Sequence, residues 1–99
     1  MGVARNIDRI DDSAVYSTIS VSTTAVHLKV GSNPLLGRDY MIIQPMGNSL
    51  YIGFDSNVTI NNGMRVYKDQ TFFLPVGDNI TVYAIANTGS IDVRIAELA

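Results

Sequence analysis

The chain contains no cysteine, no tryptophan, one histidine and one glutamate. Without cysteine it can form neither a disulfide framework nor a thiolate metal site. His27 alone leaves too few nitrogen and sulfur ligands for zinc. Asp11-Asp12 and Asp55-Ser56-Asn57 offer oxygens, but without the spacing of a calcium loop and its closing glutamate. With Glu97 as the single glutamate and the aspartates mostly in turn-like stretches, paired-carboxylate hydrolysis is poorly served. Gly-x-Gly-x-x-Gly, Gly-Lys-Ser/Thr and Gly-x-Ser-x-Gly are all missing, so phosphate loops and a serine nucleophile elbow are not expected. These absences predict a protein that is not an enzyme, with no catalytic residues, no cofactor and no metal.

Charge is also scarce. Charged residues make up 16% of the chain, against about 25% in ordinary globular proteins. A surface so poor in charge is expected to be covered in part by symmetry mates or a larger assembly. The net charge is −2, and Arg5, Arg9, Lys29, Arg38, Arg65, Lys68 and Arg94 are scattered, none adjacent to another. No basic patch is available for nucleic acid or an anionic membrane. Apolar runs reach only about five residues, far short of the roughly 20 of a membrane helix, and the first residues lack the apolar core of a secretory signal.

What is present is β pattern. Residues 1–13 are polar around Ile7 and Ile10 and read as an N-terminal arm, with Asn6, Ile7, Arg9 and Ile10 as candidate docking residues. Residues 14–99 read as one domain. Val15–Val21 is rich in β-branched residues, and Val26, Leu28 and Val30 alternate with His27 and Lys29, which places His27 on an outward face. Leu35-Leu36 reads as an apolar plug in a loop. Tyr40–Gln44 is a nearly continuous apolar strand, ended by Pro45 and joined through Gly47-Asn48 to Leu50–Phe54 as a hairpin. Val58–Ile60 reads as a short extended piece before the Asn62-Gly63 turn, where both residues tolerate positive φ. Met64–Tyr67 and Thr71–Leu74 follow, and Ile80–Ala86 with Ile91–Ile95 reads as the firmest hairpin.

Turn signals every 8–12 residues or so, with no helical period, predict an all-β antiparallel sandwich, jelly-roll or Ig-like, of about eight short strands. The expected inward set is Val26, Leu28, Val30, Ile42, Ile52, Phe72, Leu74, Val82, Ala84, Ile91, Val93 and Ile95. Tyr51 and Tyr67 are the candidate exposed aromatic contacts.

Ser22-Thr23-Thr24-Ala25-Val26-His27-Leu28, then Leu36–Gln44, then Leu50-Tyr51-Ile52-Gly53 resembles a family of small tailed-bacteriophage virion accessory proteins. Phe72–Asp78, Val82–Ala86 and Val93–Glu97 extend the resemblance over about residues 20–98. The resemblance implies a β-sandwich that serves as a capsid decoration, collar or fibre-base module, with Gly37, Gly53, Gly63 and Gly89 as fold determinants. The expected function is therefore that of a capsid decoration protein. It would dock as a homo-oligomer, a trimer foremost, on the major capsid or another virion protein, at the surface of a particle assembled in the host cytoplasm. The alternatives are a neck, collar or tail-fibre-base component, or a stand-alone module that binds host-surface glycans through its surface tyrosines and loop aspartates.

Overall fold

The computed structural model describes residues 12–99, so the expected arm contacts at Asn6, Ile7, Arg9 and Ile10 lie outside the described residues. Most runs of β-branched and aromatic residues between turn residues form strands: β1 (Ala14–Val21), β2 (Val26–His27), β3 (Tyr40–Met46), β4 (Leu50–Gly53), β5 (Met64–Val66), β6 (Phe72–Leu74), β7 (Tyr83–Ala86) and β8 (Ile91–Leu98). They build two four-stranded sheets of order β1-β8-β3-β6 and β2-β7-β4-β5, with antiparallel pairing throughout. Sequential strands mostly alternate between the two sheets, and the order is that of an eight-stranded jelly roll. Backbone pairing begins slightly before the expected boundary at residue 14, since the N–H groups of Asp12 and Ser13 both donate to the Ala99 carbonyl.

The alternation of single faces fills the space between the sheets. Val21, Met41, Ile43, Val93 and Ile95 of the first sheet meet Leu50, Ile52, Val66, Ala84 and Ala86 of the second, with Leu28 and Val82 from the adjoining segments. Most of the expected inward set is there, with Val30, Phe72 and Leu74 half-buried against it and Val26 half-buried as well. Ile42 is a correction: Met41 and Ile43 point inward and Ile42 shares the outer face with Gln44. Leu36 is a second, being 87% exposed and no plug.

Both expected hairpins are also corrected. β3 and β4 lie in different sheets, as do β7 and β8, so Gly47-Asn48 and Asn87-Thr88-Gly89 carry the chain across the core between sheets. Pro45 does not end β3 but sits inside it, opposite Val93. Its carbonyl accepts from Asp69 N–H on the side away from β8, so its missing N–H removes no bond to β8.

Val58–Ile60 forms no strand. The segment is a turn in which Thr59 N–H donates to Asn62 Oδ1 (2.7 Å) and Gly63 N–H to the Thr59 carbonyl (2.8 Å). Gly63 has no positive φ, contrary to expectation. What it requires is space, because a Cβ there would stand 2.9 Å from the Thr59 carbonyl, Tyr51 Cβ and Val58 Cγ2. Gly53 is closed off by the same valine, 2.7 Å from Val58 Cβ.

Candidate interaction surface

The register of the first sheet decides its outer face. Tyr16 pairs with Ala96, Ala96 with Ile42, and Ile42 with Phe73, which places one apolar row across all four strands. The ends of the row are the most open, with Tyr16 84% and Phe73 64% exposed. The neighbouring row is polar: Thr18 lies opposite Arg94 and Arg94 opposite Gln44, whose amide donates to Thr71 Oγ1 at 2.8 Å. Between Tyr16, Thr18, Ile42, Gln44 and Arg94 lies an open groove of about 660 Å³. Arg94 reaches Asp92 only at 3.7 Å with both side chains in solvent, a contact worth little. The arrangement offers a flat apolar stripe with a polar margin, which suits contact with another macromolecule.

The second sheet shows a different outer face. Arg65, opposite Tyr51 in β5, lays its guanidinium over the Tyr67 ring at 4.7 Å and the Tyr51 ring at 5.9 Å. Tyr67 is exposed and Tyr51 half-buried, so the structure does bring the two candidate tyrosines together, with a cation between them. His27, on the outer face as expected, stacks on Tyr83 with ring centres 5.0 Å apart. Its Nε2 is buried without a hydrogen bond among the described residues. Burial first, then the charges of Lys29 and Arg38, lowers the imidazole pKa from its ordinary 6.5, with Glu97 acting in the opposite direction.

One polar constellation lies deep in the fold. Glu97 continues the inward stripe of Ile91, Val93 and Ile95 and is wholly buried at the end of the sandwich. Its carboxylate accepts from Val30 N–H (2.9 Å), Leu35 N–H (3.1 Å) and Arg38 Nη1 (2.8 Å). Arg38 donates further to the carbonyls of Val76, Gly77 and Ile80. Among the described residues the partners of this pair, besides each other, are backbone groups of the protein's own loops, so it acts as a clasp that fixes the 30–38 and 76–80 segments to β8.

Sequence reasoning missed both Phe73 and the clasp. The signal for the clasp was present, since the alternation that buries Ile95 also buries Glu97. Among the described residues no cluster of three or more His, Cys, Asp or Glu side chains could hold a metal ion. No helix of the described residues is long and apolar enough to cross a membrane. Neither a protein-family model nor a curated protein sequence matches the chain.

Proposed function

We propose that the chain is a non-enzymatic structural protein of a tailed-phage virion that decorates the capsid surface as a homo-oligomer. The observation that carries this reading is the uninterrupted row Tyr16–Ala96–Ile42–Phe73 on the outer face of the first sheet. Eight-stranded jelly rolls are common in capsid proteins and lectins, but a fold hosts many functions and the argument rests on the face. Burying a large apolar side chain contributes about 1.5–3 kcal/mol. A row with two open aromatic ends therefore gives each copy a modest contact, which repetition on a symmetric lattice multiplies by roughly 10²–10⁴ in avidity. The low charge of the chain fits a surface that spends its life against other protein.

The test is co-sedimentation with empty capsids from the genome that encodes the chain. Intact protein binds, and Tyr16→Ser/Phe73→Ser binds at least about tenfold more weakly, the equivalent of ~1.4 kcal/mol, with an unchanged melting temperature. Failure of the intact protein to bind capsids would sink the reading, and binding to neck or tail complexes instead would relocate it within the virion. The rival glycan-binding reading meets an obstacle in Arg65, which occupies the ring faces of Tyr51 and Tyr67 on which a sugar would stack.

A further inference from the structure

Each of the two sheets has two edge strands, and three of these four edges are short: β2 has two residues, β5 three and β6 three. β1 is the exception, with eight residues, Ala14–Val21, and with β8 as its only strand partner among the described residues. Folded proteins blunt exposed edges with short strands, charges, prolines or bulges. β1 has none of these, and residues 13–28 contain no aspartate, glutamate, lysine, arginine, proline or glycine.

The backbone pattern of this edge can be read from its first pair. Ser13 and Ala99 exchange both of their backbone bonds, at 3.1 and 2.8 Å. In an antiparallel ladder such pairs recur at every second residue, so Val15, Ser17, Ile19 and Val21 bond to β8. Ala14, Tyr16, Thr18 and Ser20 then turn their N–H and C=O groups to the open side. Among the described residues the contact there is the Ser17 hydroxyl on the Thr18 carbonyl, a marginal 3.5 Å.

We propose that the open edge of β1 pairs antiparallel with β1 of a second copy across a twofold axis. The occupant follows from what the edge itself offers. A twofold contact must be self-complementary, and an uncharged strand meets its own copy with no like charges opposed. With Thr18 on the axis, Thr18 faces its symmetry mate, a favourable cross-strand pair, and Tyr16 faces Ser20 of the second copy. Three such pairs exchange roughly six hydrogen bonds. The short β6 edge offers only three residues, so a head-to-tail addition of β1 to β6 is disfavoured and the twofold contact closes the assembly. The two first sheets become one sheet of eight strands, and the two apolar rows come to lie on one continuous outer face. This inference goes beyond capsid decoration and stands without it. It favours even-numbered assemblies over the trimer expected at the sequence level.

The experiment uses the full chain alone, without particles. Light scattering across a concentration series should give about twice the 10.8 kDa chain mass. Backbone amide exchange should show Tyr16, Thr18 and Ser20 protected at high concentration and open on dilution, while Ser17 and Ile19 stay protected throughout. Thr18→Pro removes an N–H from the open side without touching a bond to β8, and should yield a folded monomer. Thr18→Lys, which opposes two cations on the axis, should do the same if proline proves disruptive. A monomer at every concentration, a trimer, or an oligomer that survives both substitutions would each overturn the proposal. None of these results depends on whether the protein binds a capsid.

Discussion

Glu97 and Arg38 show how one residue can hold a fold's end together. Two charges are taken out of water, and the cost is recovered through their mutual attraction and the further hydrogen bonds that each charge makes. The carboxylate takes three donors and the guanidinium reaches three carbonyls besides. Glu97→Ala strands a buried cation together with the amides of Val30 and Leu35. It should lower stability by about 3–5 kcal/mol, a large share of the 5–15 kcal/mol typical of a domain. Urea unfolding of wild type and variant measures this, and a loss under about 1 kcal/mol would show that the clasp is ornamental. His27 gives a second prediction at this scale. Its folded pKa lies below 6.5, chiefly through burial, so below about pH 6.5 the unfolded chain takes up a proton that the folded chain refuses. This contribution to stability is complete above pH 6.5, declines as pH falls toward the folded pKa, and levels off beneath it. His27→Phe keeps a ring against Tyr83 without a titrating group. Its melting temperature should fall less than that of wild type between pH 7.5 and pH 5, and parallel profiles would refute the assignment.

At the scale of elements, the strands were legible and their partners were not. Period two identifies β8 as half-buried because Ile91, Val93 and Ile95 alternate with Asp92 and Arg94. It says nothing about whether the preceding strand lies beside β8 or across the core from it. Two strands that each carry one apolar stripe can bury them in either arrangement, and Asn87-Thr88-Gly89 serves both. Ile42 failed for a related reason: the run Tyr40–Ile43 has no period of its own. The polar Gln44 was the usable clue, since residue 42 must share its face. Pro45 marked a strand end by its chemistry and proved to be tolerated by its position, because the pairing with β6 has already stopped at Ile43, opposite Phe72. The apolar row was out of reach for the same reason, because Tyr16, Ile42, Phe73 and Ala96 meet only once the order and register of four strands are known.

At the scale of the molecule, β8 is the strand on which the first sheet depends. β8 lies between β1 and β3 and bonds to both, in registers that run the length of each strand. Among the described residues, without 91–98 β1 has no strand partner, β3 has only the short β6, and Arg38 lacks its carboxylate. Such non-local pairing demands closure of long loops before it returns any stabilisation, so folding should be slow for a chain of this size, in the range of milliseconds to seconds. The order also fixes what truncation does. A chain ending at Gly89 retains seven strand sequences and most of its apolar residues, yet should not form even the remainder of the fold. It should lack a cooperative thermal transition and near-ultraviolet circular dichroism, and should bind a hydrophobic dye. A sheet order in which β8 occupied an edge would instead leave a weakened but cooperative domain after the same cut. Observing that domain would therefore count directly against the central placement of β8, and with it against the free β1 edge and the row that crosses from Tyr16 to Phe73.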